Sequence, residues 1–287
     1  METDSATGSL AETSLMWKWM VVVMVALPGP LVWAQVIRSR PETTVFGTCV
    51  GSGLFTDVLG ITGNPALLPG HRSFTAALLG SRWVRLPAIT RFTAAVWVPA
   101  GRGGFTGQGQ FISFSGYTES VMGAGYGRYL GDRLQAGVRL NHHHFRFPNG
   151  YGRAGSVSAD AGLVLHLTDR FRCAVQAVNP LAGSFFGSSE ERLTSVYASG
   201  VGFQASAAFD WSMELRKEEG QSPELRVTLT YRPVSRLVLS GGFSSRTGAG
   251  ALRAGFSFSH WQLDLVMQQH PYLGLSPGLI LFYTGGK

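Results

Sequence analysis

Pro223-Glu224-Leu225-Arg226-Val227-Thr228-Leu229-Thr230-Tyr231-Arg232 alternates polar and apolar side chains without a break after its proline. In an extended chain successive side chains leave opposite faces, so Leu225, Val227, Leu229 and Tyr231 share one face and Glu224, Arg226, Thr228, Thr230 and Arg232 the other. The texture recurs along the chain. Val157, Ala159, Ala161, Leu163, Leu165 and Leu167 oppose Ser156, Ser158, Asp160 and His166; Leu252, Ala254, Phe256 and Phe258 oppose Arg253, Ser257 and Ser259; Leu134, Ala136, Val138 and Leu140 oppose Gln135, Arg139 and Asn141. Such segments number about twelve to fourteen. Strands of about ten residues in that number, nearly all with an apolar face, predict an all-β fold: a transmembrane antiparallel barrel, apolar outside and polar inside. A soluble sandwich or lipocalin-like barrel would alternate in the same way with only about seven to nine strands.

The N-terminal stretch reads differently. Lys18 precedes an apolar run from Met20 to Leu27 that Pro28 and Pro30 interrupt, far short of the roughly twenty residues a spanning helix needs. Leu31-Val32-Trp33-Ala34 then fits cleavage after Ala34, with no cysteine at the junction to carry a lipid. Residues 1–34 are therefore expected to be a secretion signal, residues 35–70 an N-terminal hatch or plug segment, and residues 71–287 the barrel. The polar, acidic stretch before Met16 points to that methionine as an alternative start of translation, and an N-terminal membrane anchor is the alternative reading of the whole stretch.

Charged residues make up only 14% of the chain and glycines number 38, which suits a barrel whose lipid-facing residues are scattered and not gathered into blocks. The formal charge is +7, and loss of Lys18 together with Glu2, Asp4 and Glu12 would raise it by two. The arginines sit singly on polar strand faces and never cluster, which argues against nucleic acid and for a solvated lumen or an anionic lipid surface. The two cysteines, Cys49 and Cys173, fall in different settings; Cys173 alternates with Phe171, Val175 and Ala177 and should face lipid as a small hydrophobe, so a disulfide is not expected.

Leu130-Gly131-Asp132-Arg133-Leu134 and Leu167-Thr168-Asp169-Arg170-Phe171 are near copies, and Arg232-Pro233-Val234-Ser235-Arg236-Leu237 is a looser third. Asp and Ser close such tight turns through local backbone hydrogen bonds. Pro148 to Gly155, Asn179 to Thr194 and Glu218 to Ser222 are longer and more polar, so the short turns should mark the periplasmic rim and the long loops the outer one. The alternation sends Arg139, Asp160, Arg172, Glu214, Arg216, Glu224, Arg226, Arg253 and Asp264 into the lumen. Charges of both signs in a narrow barrel are expected to pair with one another.

No catalytic signature is present: there is no Gly-x-Ser-x-Gly and no His-Glu-x-x-His, and Gly123, Gly125 and Gly127 lie within a strand and form no phosphate loop. An enzyme is not expected, nor a cofactor, although a lipid hydrolase with Ser and His on barrel strands is conceivable. His142-His143-His144 cannot converge on one metal ion from a strand, because the middle residue takes the other face. The apolar phase changes there, from Leu134, Ala136, Val138 and Leu140 to Phe145 and Phe147, which a bulge or the exit from the membrane would explain.

Gly63-Asn64-Pro65-Ala66-Leu67-Leu68 resembles the Asn-Pro-Ala motif of FadL and PorV/PorQ-type barrels, in which an N-terminal segment folds into the barrel as a hatch. The close of the chain, His270-Pro271-Tyr272-Leu273-Gly274-Leu275-Ser276-Pro277 with Leu279-Ile280-Leu281-Phe282-Tyr283, is similar to that of Bacteroidota members of the group, and so is its centre, Gly127-Arg128-Tyr129-Leu130-Gly131-Asp132-Arg133-Leu134-Gln135-Ala136-Gly137. Tyr283 departs from the pattern, since Thr284-Gly285-Gly286-Lys287 follows where such barrels end on the aromatic. The resemblance implies a Gram-negative, Bacteroidota-like outer membrane, outer-membrane lipids as surroundings, and Asn64, Pro65 and Ala66 as the hatch motif. It implies one of two roles: an accessory of type IX protein secretion with protein partners from that machinery, or a FadL-like channel for uptake of hydrophobic compounds. The mixed-sign lumen and its lack of aromatics among the residues named above favour the accessory role, and no residue identifies a ligand.

Overall fold

A computed structural model describes residues 36–37, 48–52, 62–70, 72–82, 89–148, 152–182, 192–271 and 274–286. The expected signal, its cleavage site and the Met16 start lie outside the described residues, as do residues 53–61 of the N-terminal segment.

The strands are β1 (Val36–Ile37), β2 (Thr75–Arg82), β3 (Thr90–Ala100), β4 (Gly103–Phe114), β5 (Tyr117–Tyr129), β6 (Leu134–Arg146), β7 (Arg153–His166), β8 (Phe171–Val178), β9 (Arg192–Leu193), β10 (Val196–Gln204), β11 (Phe209–Glu218), β12 (Glu224–Val234), β13 (Leu237–Ser244), β14 (Ala249–Phe258), β15 (Trp261–His270) and β16 (Gly274–Thr284). Fourteen of them, β2–β8 and β10–β16, form a closed antiparallel barrel in which β8 pairs with β10 and β16 returns to pair with β2. Closure removes both sheet edges, so every strand has two hydrogen-bonded neighbours and none offers a bare edge to lipid.

Burial along the strands is the reverse of a soluble protein's. On β12 Glu224, Arg226, Thr228 and Thr230 are buried while Leu225, Leu229 and Tyr231 are exposed. Leu78, Phe92, Met122, Leu140, Leu163, Leu252 and Leu265 extend the apolar exterior around the wall. A ten-residue strand rising about 3.3 Å per residue and tilted by about 40° spans about 25 Å, the height of the apolar band of such barrels.

Connections at the rim holding residues 101–102, 130–133, 167–170, 205–208, 235–236 and 259–260 are short, and the two near-copied turns close alike: Leu130 N–H donates to Leu134 O at 2.8 Å and Leu167 N–H to Phe171 O at 2.9 Å. Around this rim Phe171, Phe203 and Trp211 form a chain of ring contacts on the exterior, and Phe105 with Tyr126 and Trp261 with Tyr283 form two more, an aromatic girdle at the membrane boundary. Residues 147–152 and 179–195 connect strands at the other rim. The longer of these is not a free loop throughout: β9 pairs in parallel with β1, and Leu193 is fully buried against Phe145.

β6 shows no bulge. Its register with β5 and β7 is continuous from Leu134 through Arg146, so even positions face out along its whole length and Phe145 points inward with Gln135, Arg139, Asn141 and His143. The apparent change of phase at His142 is the strand leaving the membrane while Phe145 finds an apolar partner inside.

Candidate functional site

The lumen is occupied. Residues 48–52 and 62–70 lie inside the wall, where Cys49, Val50 and Ala66 pack with Val164, Ala174 and Ala198 from β7, β8 and β10. Asn64 organises the crossing. Its Nδ2 donates to Cys49 O at 2.8 Å, its Oδ1 accepts the Ala66 N–H at 2.9 Å, and its own carbonyl accepts the Leu67 N–H at 3.1 Å. These bonds begin the short helical turn Pro65–Gly70, and Pro65 suits the start of such a turn because its missing N–H would have no partner there. The wall makes room with glycine: a Cβ on Gly162 would overlap the Asn64 amide, and one on Gly137 would overlap the Pro65 carbonyl.

Several inward-facing charges serve this segment. Arg139 grips Asp160 through Nε at 3.0 Å and Nη2 at 2.7 Å, and Nη2 also donates to Gly63 O at 3.1 Å. Its Nη1 reaches Gln108 Oε1 at 3.2 Å, and Gln176 Nε2 meets the same Gly63 carbonyl at 2.7 Å. Arg172 donates from Nη2 to Gly51 O at 2.8 Å and to both oxygens of Asp210, at 3.1 and 2.9 Å. It passes over β10 at Gly202, where a Cβ would strike the guanidinium. Glu214 accepts the Cys49 N–H. Burial, reinforced by the Glu214 carboxylate, pushes the Cys49 thiol well above its usual range, so it stays protonated and unreactive. Both cysteines are free and buried.

Four of the remaining charges named from sequence, Glu224, Arg226, Arg253 and Asp264, pair within the wall. Glu224 Oε1 accepts from Arg226 Nε at 3.0 Å and Glu224 Oε2 from Arg246 Nη2 at 3.0 Å, near the loop rim; Arg253 pairs with Asp264. Arg216 is half-buried beside Glu224 in the β11–β12 register. Asp210, Gln108, Gln176 and Arg246 were not singled out from sequence. Asp210 continues the inward parity of Ser212 and Glu214, a signal sufficient to find its orientation, but nothing in the sequence joins it to Arg172 on the far side of β10. Among the described residues no group of three or more His, Cys, Asp or Glu is arranged to hold a metal ion; His143 Nε2 instead lies 2.8 Å from Ser158 Oγ.

The interior also holds an apolar cluster. Leu79, Trp97, Val266, Ile280 and Phe282, with Ala77, Ala95, Val238 and Ala251, form one buried cluster on the inner faces of β2, β3 and β13–β16. Aromatics are thus inside, contrary to the expectation from sequence, with Trp97 and Phe145 fully buried and Arg253 lying 5.4 Å over the Phe282 ring. Between the inserted segment and the short-turn rim a cavity of about 270 Å³ remains, edged by Thr48, Thr228, Ser240 and Arg253.

Barrels of known structure superpose on this one. The toluene transporter TbuX of Ralstonia pickettii superposes with a TM-score of 0.60 at 10% identity, covering 82% of this chain and 95% of that one. The fold is that of FadL-type outer-membrane barrels. The Pseudomonas putida toluene transporter TodX gives 0.58 at 9% identity over 87% of this chain and 99% of its own, and a Pseudomonas aeruginosa FadL homologue gives 0.55 at 11% over 86% and 98%. No family model and no curated protein sequence matches the chain.

Proposed function

We propose that this barrel passes small hydrophobic compounds across the outer membrane, with residues 48–70 as the hatch that governs passage. The observation that carries the reading is the apolar inner cluster of β2, β3 and β13–β16. A barrel whose interior served only as a plug could be polar throughout; Leu79, Trp97, Ile280 and Phe282 instead close on one another as an apolar seam, and an apolar solute that parts them gains about 0.8 kcal/mol per buried methylene. The neighbours of known structure that are described as toluene transporters support it from the side of fold.

The secretion-accessory role leaned on a charged lumen without aromatics. The charges do pair with one another and with the inserted backbone, as a closed lumen requires, but Trp97, Phe145 and Phe282 are inside, and that removes the argument against an apolar path. Uptake of radiolabelled toluene into liposomes carrying the purified barrel tests the proposal. Saturable uptake is expected, falling about tenfold in Ile280→Asp while the barrel still runs as a folded species on an unheated gel. A barrel that admits no apolar compound and co-purifies with secretion proteins would return the accessory role.

A further inference from the structure

We propose that the outer rim of the wall at β6 and β7 binds the phosphate of an anionic lipid headgroup. Arg146 ends β6 and Arg153 begins β7, and the two are direct partners in the antiparallel register. Like charges placed directly opposite each other destabilise a strand pair. Both side chains are exposed, on the lipid-facing parity of their strands, and among the described residues neither makes a hydrogen bond or an ion pair. Two unneutralised guanidinium groups held side by side call for an anion.

The surroundings are shaped for one. An open recess of about 600 Å³ lies against both arginines, with Ser115 and Thr118 supplying hydroxyls and Phe147 and Pro148 an apolar side, and no carboxylate among the described residues that border it. Glu119, next to Thr118 in sequence, is turned to the inner face and accepts a hydrogen bond from the Tyr117 hydroxyl. Guanidinium groups suit phosphate because their planar forks give paired, charge-assisted hydrogen bonds.

Position selects a lipid over a free ion. Below Arg146 on the same outward column come His144 and His142, then Leu140 and Val138, a gradient from cation through imidazole to hydrocarbon. Met122 and Val157 flank His142 on the neighbouring strands and are exposed with it. A molecule with its phosphate in the recess therefore has the two imidazoles beneath it and, below them, the apolar wall of Leu140 and Val138 for its acyl chains. The rim is the one with the longer connections, which faces the outer leaflet.

Native mass spectrometry of the delipidated full-length barrel, titrated with diphosphoryl lipid A, its dephosphorylated form and inorganic phosphate, tests the proposal. The phosphorylated lipid should be retained, and the Arg146→Gln/Arg153→Gln double variant should hold it about tenfold more weakly, a change of about 1.4 kcal/mol. Arg128→Gln, an exposed outward arginine at the opposite rim, should bind as the parent does, and heat-modifiable gel mobility reports that each variant is folded. Equal retention of the dephosphorylated lipid, or a folded double variant that binds like the parent, would overturn the proposal. Inorganic phosphate held as tightly as the lipid would overturn the lipid source.

Discussion

Asn64 shows how much one side chain can hold when every polar atom on it is used. With Nδ2 on Cys49 O and Oδ1 on the Ala66 N–H, it joins two pieces of the inserted segment that lie 15 residues apart at their contact. Truncation leaves a buried carbonyl and a buried N–H unsatisfied, at about 1–3 kcal/mol each. Asn64→Ala should loosen the segment without unfolding the barrel, visible as larger or more frequent current steps in planar bilayers. Arg139 tests a different quantity. Because it neutralises a fully buried Asp160, Arg139→Met should cost about 3–5 kcal/mol in urea unfolding, and Arg139→Met combined with Asp160→Leu should recover much of that loss, since the penalty comes chiefly from an unpaired buried charge. Destabilisation of the double variant by the sum of the two single variants' losses would show that the two residues act separately.

Strands rather than residues decide what faces lipid. Leu229 is 47% exposed on the outer face of β12, while its neighbour Thr228 is buried on the inner face. An arginine at the lipid midplane costs about 2–4 kcal/mol, so Leu229→Arg should lower assembly into membranes far more than Thr228→Arg, whose side chain borders the 270 Å³ cavity. Folded fractions on unheated gels measure the difference. Parity of this kind made the barrel legible from residues alone wherever one face is polar, as on β7 and β12. It failed where both faces are apolar: β2 reads Thr-Ala-Ala-Leu-Leu-Gly-Ser-Arg, and nothing in that string says that Leu79 looks inward while Leu78 meets lipid. The aromatic interior was missed for the same reason, since the partners that bury Trp97 and Phe282 come from strands far apart in sequence. The contacts between wall charges and the Gly51 and Gly63 carbonyls were also beyond reach, because alternation gives a side chain's direction but not what waits there.

At the scale of the molecule, the wall and the segment within it are separable in principle. The barrel closes from β2 round to β16 without help from residues 48–70. Deleting residues 41–70 should therefore leave a folded barrel with raised conductance; a folded barrel of unchanged conductance would place the resistance elsewhere, for instance where β9 and Leu193 pack against Phe145.

The seam between β16 and β2 joins the two ends of the barrel sequence, and Gly285 N–H donates to Phe74 O beside it at 2.8 Å. Contacts of such long sequence separation form late, because the chain must first pay to bring its ends together. The strands that grip the inserted segment are consecutive ones from the middle of the chain, and they need no seam to stand side by side. A curved, unclosed sheet of β5–β8, β10 and β11 already carries Arg139, Arg172 and Glu214. The segment can thus be taken up while the sheet is still an open trough, so that closure of the final pair shuts the wall around something already seated, and no chain has to be threaded into a finished cylinder.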